Sequence, residues 1–381
     1  MAATTVRAHA LTETPLLPPG FTVPTSRWTD PATRLRELLD SEPYVFAPGI
    51  YDPHGAEIAM YHRATAIYFS GYSFAIGHLG TTDMDLYSGP EIADGARRTI
   101  SALRKFQLTM ATGDPEKGVP PTHLEIPPVV VDMDGGYGNL FNVQRTAELY
   151  VNAGVAGAHI EDQVLPKRCG HIAGKALISA DEMVGKLRMA RAVADDLGRE
   201  DFVVIARTDA VSAVAAPEKT RGLDLAIERA LRYLDSGAPN LVWCEFPNSD
   251  REPTERFADE VRRRFPDAKL AFNWSSSFKW FNDPKPISFA ELGELGYKFL
   301  FITLAAQHAM GYAFSKLLQG FSEEQERAYV ELQRKEWAPD DDIPTKSHHL
   351  FTGVPYHQVM GECMGASRLG RFEQELEEKA V

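Results

Sequence analysis

Eight short runs of β-branched and aromatic residues recur along this chain, and each run ends in polar residues before a helical pattern begins. The runs cover residues 45–52, 66–71, 129–134, 158–162, 202–209, 241–246, 270–273 and 299–304. Run cores such as 129–131 and 203–205 are apolar at consecutive positions, which indicates strands buried on both faces. The pattern therefore predicts parallel strands that alternate with helices.

Eight such units in roughly 250 residues match the size and count of a closed (β/α)8 barrel, and an open doubly wound sheet is the alternative. Polar residues at the predicted strand ends favour the barrel, because those ends share one rim only when the sheet closes. These residues are Ser70, Asp132, Asp134, Glu161, Asp162, Arg207, Asp209, Glu245, Asn273 and Thr303. We therefore predict an α/β protein with a TIM-type barrel and a site at that rim.

The remaining segments predict a simple domain organisation. Residues 1–29 are expected to be a flexible N-terminal segment, and the barrel is expected to occupy residues 30–318, with an N-terminal helix capped near Asp30. Residues 319–381 are expected to form a C-terminal helical extension that starts with the helical pattern at 323–336. No internal repeat or low-complexity tract indicates a second domain.

Composition excludes several classes of function. The formal charge of −13 repels polyanions, so nucleic acid is not an expected partner. No run approaches the roughly 20 apolar residues of a membrane span, and the N-terminus lacks the features of a signal peptide. Three cysteines, Cys169, Cys244 and Cys363, are too few and too far apart for a disulfide framework or a paired zinc site. A reducing cytoplasm is therefore the expected compartment.

Acidic residues end two neighbouring predicted strands. Alternation along a strand points Asp132 and Asp134 to the same side, and Glu161 and Asp162 end the next strand. Each acid taken alone is equally well explained as a helix cap or a lysine partner. Convergence of the whole set favours a cation, and hard oxygen ligands suit Mg²⁺ or Mn²⁺. The glycines at 135–138 are weak evidence for a phosphate site, because no Walker lysine follows them.

Residues 167–171 read Lys-Arg-Cys-Gly-His and place a thiol among cationic side chains. Neighbouring positive charges lower the pKa of a thiol, so the sequence predicts that Cys169 titrates below the ~8.5 of a free cysteine. Such a group can act as an acid or a base near neutral pH. A basic surface turn with an incidental cysteine is the alternative.

This segment resembles the Lys-Lys/Arg-Cys-Gly-His signature of the isocitrate lyase family, part of the phosphoenolpyruvate mutase and isocitrate lyase superfamily. The resemblance extends through residues 68–71, 132–135, 161–163, 206–210 and 301–305. It implies a magnesium-dependent lyase that cleaves isocitrate to glyoxylate and succinate in the glyoxylate cycle. Cleavage of 2-methylisocitrate, or of another 2-hydroxy acid, is the nearest alternative. A hydrolase or a non-catalytic dicarboxylate-binding protein is a more distant one, because hydrolysis leaves no carbanion that needs a thiol proton.

The resemblance also implies roles for individual residues. Asp132 resembles the principal magnesium ligand, and the acids expected around it are Asp134, Glu161 and Asp83. Cys169 resembles the catalytic acid, with His171 and Glu245 in its proton network, and Tyr68 resembles a tyrosine proposed to help deprotonate the substrate hydroxyl. The expected binders of a di- or tricarboxylate substrate are Ser70, Gly71, Tyr72, Gly170, Arg207, Asn273, Ser275, Ser277 and Thr303.

Family members form homotetramers that exchange C-terminal helices, and the resemblance extends this expectation to the present chain. Departures from the family pattern bear on the substrate: Tyr72 and Trp274 are unusual at their positions, and Arg168 is shared with 2-methylisocitrate lyases. Phe301, together with Thr303 and Leu304, retains the bulky wall typical of isocitrate lyases. The sequence therefore predicts a preference for isocitrate.

Overall fold

The computed structural model describes residues 30–114 and 117–363, so the predicted flexible segment at 1–29 lies outside the described residues. The chain divides into two compact units. The described part of the larger unit comprises residues 30–104 and 125–341, and that of the smaller unit comprises 105–114, 117–124 and 342–363. The boundaries predicted at residues 30 and 318 stay a prediction.

Eight parallel strands close into a barrel in chain order, and the last strand pairs with the first. The strands are β1 (Val45–Ile50), β2 (Ile67–Phe69), β3 (Val129–Asp132), β4 (Gly157–Glu161), β5 (Val203–Thr208), β6 (Leu241–Cys244), β7 (Lys269–Asn273) and β8 (Tyr297–Ile302). Every residue of β3, β4, β5 and β6 is buried, as strands covered by helices require. The predicted closed barrel is confirmed.

Helices follow the strands in sequence. They are α1 (Pro31–Ser41), α2 (Pro53–Tyr61), α3 (Gly71–Leu79), α4 (Gly89–Thr112), α5 (Leu140–Ala153), α6 (Ala180–Asp196), α7 (Gly222–Asp235), α8 (Arg251–Arg264), α9 (Phe289–Leu295), α10 (Ala305–Glu324), α11 (Glu326–Glu336), α12 (His348–Thr352) and α13 (Val354–Cys363). The Asp30 side chain accepts a hydrogen bond from the Ala32 amide, which confirms the predicted cap of the first helix.

Aromatic rings fill the barrel interior. The ring of Phe301 stacks on Tyr68 with centroids 4.4 Å apart and meets Trp243 edge-on at 5.0 Å. His159 lies edge-on to the same tryptophan at 4.9 Å. All four side chains are at most 2% exposed. This rigid layer lies below the rim where the polar strand ends meet.

α10 and α11 have a different character from the helices that cover the barrel. None of their residues is buried, although α10 carries large apolar side chains. Those at least 39% exposed on α10 are Met310, Tyr312, Phe314, Leu318 and Phe321. None of the helices in the described part of the chain is long and apolar enough to cross a membrane.

In the smaller unit, the last turns of α4 pack on α12. Phe106 contacts Phe351 with ring centroids 4.9 Å apart, and Lys105 donates to the Thr352 carbonyl. Gly353 follows α12 in the left-handed region, with a φ of 88°. A Cβ at Gly353 would lie 2.6 Å from the Thr109 hydroxyl, so a larger residue does not fit there.

Candidate active site

Four carboxylates gather at the ends of β3 and β4 and in the segment that follows α3, and we call this region the acid side: Asp83, Asp132, Asp134 and Glu161. Each is at most 5% exposed. Burial raises the pKa of Asp134 to about 6, a shift that Lys167 opposes. Burial also raises the pKa of Glu161 well above its usual value, although Arg207 opposes this shift. The four carboxylates of the predicted acidic set thus lie in one region, and their role as metal-site residues stays a prediction.

Lys167 neutralises part of the acid side. Its ammonium is 2.7 Å from Asp134 Oδ1 and donates a short hydrogen bond to Asp83. Burial alone would lower the pKa of Lys167, but Asp134 and Asp83 raise it well above its usual value. The first residue of the predicted thiol segment is therefore anchored among the carboxylates.

The acid side fits a hydrated divalent cation better than a closed protein cage. Among residues 30–114 and 117–363, no three His, Cys, Asp or Glu side chains come close enough together to enclose a metal ion directly. Neither oxygen of the buried Asp134 carboxylate accepts a well-aligned hydrogen bond. Mg²⁺ keeps several waters and needs only one or two carboxylates, so the donor set suits it. Asp132 and Asp134 are the residues that would hold it.

Tyr68 and His159 join the acid side to the barrel interior. The Tyr68 hydroxyl is 2.7 Å from His159 Nε2, and it donates to Asp132 Oδ2 at 3.4 Å. Burial, then Asp132, raises the pKa of Tyr68 well above 10. Burial, then Arg207, lowers the pKa of His159 well below 6.5. Both side chains are therefore neutral at neutral pH.

Gly71 leaves space beside the acid side that no other residue could leave. A Cβ there would lie 2.1 Å from the Tyr87 hydroxyl and 2.6 Å from Asp132 Oδ2. Ser70 is fully buried and caps α3 by accepting a hydrogen bond from the Ser73 amide at 3.0 Å. The predicted glyoxylate-binding pair thus lies directly beside the principal carboxylate.

On the adjoining part of the rim, polar donors gather at the ends of β5, β7 and β8, and we call this region the donor side: Arg207, Asn273, Ser275 and Thr303. Thr303 donates to Asn273 Oδ1 at 3.1 Å, and the Asn273 amide approaches Glu245 Oε1 at 3.5 Å. Glu245 is 2% exposed, and its Oε2 has no hydrogen-bond partner. The predicted substrate binders of these strands therefore form one group.

Arg207 is held in a fixed orientation on this side. Its Nε and Nη2 donate to the two oxygens of Asp209 at 2.8 and 3.1 Å, and its Nη1 is 3.0 Å from Glu161 Oε2. The guanidinium also lies 4.4 Å from the Trp243 ring centre. Burial alone would raise the pKa of Asp209, but Arg207 and Lys175 hold it well below its usual value. The remaining N–H groups of Arg207 are free to orient a carboxylate.

The segment 167–171, here called the thiol loop, connects the two sides. Lys167 binds the acid side, whereas His171 Nε2 is 2.8 Å from Ser275 Oγ and 2.9 Å from Glu245 Oε1. Gly170 lies against the donor side, because a Cβ there would be 2.5 Å from Arg207 Nη2. Cys169 therefore lies between the acid side and the donor side.

The prediction of a lowered thiol pKa is wrong. Burial, then Asp83, raises the pKa of Cys169 to about 11, and Lys167 opposes this shift only weakly. Lys167 is already paired with Asp83 and Asp134, and the exposed Arg168 side chain donates to the Ala173 carbonyl. Cations adjacent in sequence therefore do not stabilise the thiolate, and Cys169 carries its proton at neutral pH.

Three further side chains belong to neither the acid side nor the donor side: Ser277, Tyr72 and Trp274. Ser277 is exposed, and its amide donates to Ser275 Oγ at 3.2 Å. Tyr72 is partly buried, and burial, then Cys169, raises its pKa, which places it beside the thiol. Trp274 stacks on Trp280 with centroids 4.0 Å apart, and its indole donates to the Ile287 carbonyl. This unusual tryptophan is thus accommodated in a structural stack.

Sequence reasoning missed two residues of the site. His159 lies two residues before Glu161 on β4, so the period-2 alternation of a strand already placed it on the same face. Gln163 holds the thiol loop by donating to Glu161 Oε1 and to the Arg168 carbonyl, while its own carbonyl accepts from the Arg168 amide. No pattern in the sequence indicated that Gln163 holds the thiol loop.

Comparisons with known proteins agree with this geometry. Residues 35–320 match the phosphoenolpyruvate phosphomutase family. The isocitrate lyase of Haloferax volcanii is 39% identical over 327 residues, which cover 86% of this chain and 85% of that protein. Isocitrate lyase 1 of Mycobacterium tuberculosis is 35% identical over 318 residues, 74% of this chain and 72% of its own.

Solved structures of related enzymes share the fold. A complex of oxaloacetate acetylhydrolase with the inhibitor 3,3-difluorooxalacetate has a TM-score of 0.67 and 27% identity, covering 89% of this chain and 97% of its own. A 2,3-dimethylmalate lyase has a TM-score of 0.68 and 26% identity, covering 88% and 96%. The chain is therefore a lyase that belongs to the phosphoenolpyruvate mutase and isocitrate lyase superfamily.

Proposed function

We propose that this enzyme cleaves isocitrate to glyoxylate and succinate, and that it acts as an isocitrate lyase. The observation that carries the proposal is the position of Cys169, a protonated thiol held between the acid side and the donor side. A carbon–carbon cleavage that leaves a carbanion needs such a proton donor. The 39% identity to an isocitrate lyase supports the same substrate.

The cleavage step divides between the two sides. The C2 hydroxyl of isocitrate loses its proton, the C2–C3 bond breaks, and its electron pair passes to the succinate fragment as an aci-carboxylate. Cys169 then donates its proton to that carbon. Arg207 orients a carboxylate, while the Asn273 amide, oriented by the Thr303 hydroxyl, donates to the oxygens on which negative charge develops.

The hydroxyl proton needs an acceptor, and Tyr68 alone is poorly suited because burial keeps its phenol neutral. When the Tyr68 hydroxyl turns from Asp132 to His159 Nε2, 2.7 Å away, it can pass its proton to the neutral imidazole as it receives the proton of the substrate. Asp132 Oδ1, 3.3 Å from the same nitrogen, would stabilise the imidazolium that forms. Magnesium, when bound, supplies a Lewis acid that favours the alkoxide form of the hydroxyl. Asp132 and Asp134 would hold it beside Gly71.

A direct assay separates this proposal from its rivals. Glyoxylate release from isocitrate should be measured beside pyruvate release from 2-methylisocitrate, each with magnesium and with a chelator. Magnesium-dependent glyoxylate release supports the proposal. Faster cleavage of 2-methylisocitrate would replace the substrate but keep the lyase reaction. Production of oxalate and acetate from oxaloacetate, without either cleavage, would indicate the chemistry of the structural neighbour instead.

We also propose that the exposed apolar side chains of α10 contact further copies of the chain in a homotetramer. A 20-residue helix with none of its residues buried, yet with Tyr312 at 70% and Phe314 at 53% exposure, is unusual for an isolated surface. Light scattering on the purified enzyme tests the proposal. A monomeric mass at micromolar concentration would contradict it.

A further inference from the structure

Lys175 is a buried lysine with no part in the proposed reaction. It is 1% exposed, and its ammonium donates to Asp209 Oδ1 at 2.8 Å and, by a short hydrogen bond, to the Gly170 carbonyl. Its own backbone carbonyl accepts from the Val214 amide at 2.9 Å. The main chain of Lys175 is thus fixed on the segment after β5, while its side chain reaches back to the thiol loop.

The carboxylate that receives Lys175 is itself rigidly held. Asp209 accepts two hydrogen bonds from Arg207, and its backbone amide donates to Asp162 Oδ1 at 3.0 Å. Asp162 in turn accepts from Arg229 and Tyr233, at 2.9 and 2.8 Å. A buried network in which each charge is paired is rigid, and removing one member is costly. Lys175 therefore connects the thiol loop to the rigidly held carboxylate of Asp209.

Gly170 shows how closely the loop fits. A Cβ on Gly170 would lie 2.5 Å from Arg207 Nη2 and 2.8 Å from Glu245 Cγ, so the loop backbone is in contact with the donor side. These contacts prevent a closer approach but do not prevent the loop from moving outward. The hydrogen bond from Lys175 to the Gly170 carbonyl restrains that movement one peptide away from Cys169, between the contacts of Lys167 and His171 at the two ends of the loop.

We propose that Lys175 is a positioning residue that holds the thiol loop closed by linking the Gly170 carbonyl to the Asp209 carboxylate. The inference rests on the proposed function, in which Cys169 donates the proton, but its main test needs no substrate. Without this link the loop moves outward, and the half-buried thiol of Cys169 becomes more exposed to solvent. The thiol is then more reactive and less well placed.

Alkylation of Cys169 by iodoacetamide at pH 8, followed by mass spectrometry of its peptide, tests the inference in Lys175→Met. Methionine keeps the length and removes the ammonium. We expect alkylation to accelerate by up to about 10²-fold, because the reagent and water reach the thiol more readily once the loop has moved. With isocitrate, kcat should fall by about 10²-fold with little change in KM, the cost of a misplaced catalytic group.

Lys186→Met is the matched control. Lys186 is also buried, at 2% exposure, and its ammonium donates to a glycine carbonyl, that of Gly135, at 2.7 Å. This substitution should lower thermal stability to a similar extent without accelerating alkylation of Cys169. Equal acceleration in both variants would reduce the role of Lys175 to general stability and overturn the inference.

A second variant covers the case in which Lys175→Met does not fold. Lys175→Gln retains a donor for the Gly170 carbonyl but loses the ion pair with Asp209, so alkylation should accelerate by less than in the methionine variant. A folded variant of either kind in which Cys169 is alkylated at the wild-type rate would overturn the proposal. Absence of isocitrate cleavage in the wild type would instead contradict the proposed function, since the alkylation result is independent of it.

Discussion

The acid side and the donor side occupy the same rim but differ in charge: the first concentrates carboxylates, and the second combines a paired guanidinium with neutral donors. Asp83, Asp132, Asp134 and Glu161 concentrate negative charge, and burial raises the pKa of three of them. On the donor side the charge of Arg207 is balanced by Asp209, and the other groups are neutral donors such as Thr303. One rim therefore carries two different electrostatic environments side by side, because different strands supply them.

The largest effect should come from breaking the acid side. Asp132→Ala removes the carboxylate nearest to Gly71 and Tyr68, so magnesium-dependent cleavage should fall by more than about 10²-fold, the upper cost of losing an outer metal partner. Circular dichroism should show an intact fold, and calorimetry should show weaker magnesium binding. Wild-type activity with tightly bound metal would remove Asp132 from the site.

The connection between the two sides is tested by Cys169→Ser. The hydroxyl keeps the shape of the side chain but gives up its proton far less readily, so kcat for cleavage should fall by about 10² to 10⁴-fold with little change in KM. Isothermal titration with succinate and glyoxylate should show nearly unchanged binding. Cleavage at the wild-type rate would mean that another group supplies the proton.

The preference between isocitrate and 2-methylisocitrate tests how much space the donor side leaves for a methyl group. Thr303 and Leu304 are partly buried at the end of β8, whereas Phe301 lies beneath them in the interior and supports Tyr68. If Thr303 and Leu304 exclude an extra methyl group, kcat/KM should favour isocitrate over 2-methylisocitrate by about 10 to 200-fold. Steady-state kinetics on both substrates measure the ratio. A ratio below one would show that this wall accommodates the methyl group.

The last test concerns pH and needs no substitution. A pKa of about 11 means that the thiolate of Cys169 becomes populated only as the pH rises toward that value. The rate of alkylation should therefore increase about tenfold per pH unit from pH 7 to 10, without a plateau. A plateau near pH 9 would place the pKa of Cys169 close to that of a free cysteine and would contradict the raised pKa described for this thiol.

The barrel was predictable from the sequence because each strand carries a local signal. The run at 203–205 is continuously apolar, and β5 is buried at every residue. The convergence of Asp132 and Glu161 followed from the same topology, since the ends of parallel strands share one rim. These features depend on periodicity and chain order, which a sequence displays directly.

Long-range contacts of loops were not predictable. The sequence places Lys167 two residues from Cys169, yet the folded chain directs its ammonium to Asp83 and Asp134. The pKa of a thiol depends on distance and burial in space, so neighbours along the chain predicted a pKa shift of the wrong sign. The partner of Lys175 is likewise 34 positions away, at Asp209, and only the fold brings the two together.

The raised pKa of Cys169 also bears on how the enzyme withstands oxidants. At pH 7 a thiol with a pKa of about 11 exists as thiolate in only about one molecule in 10⁴. Peroxides attack the thiolate, and the resulting sulfenic acid is the first step toward irreversible sulfinic and sulfonic forms. Burial beside Asp83 therefore keeps the Cys169 thiol protonated. Because the protonated thiol reacts poorly with peroxides, the same burial protects it from oxidative damage between catalytic turnovers.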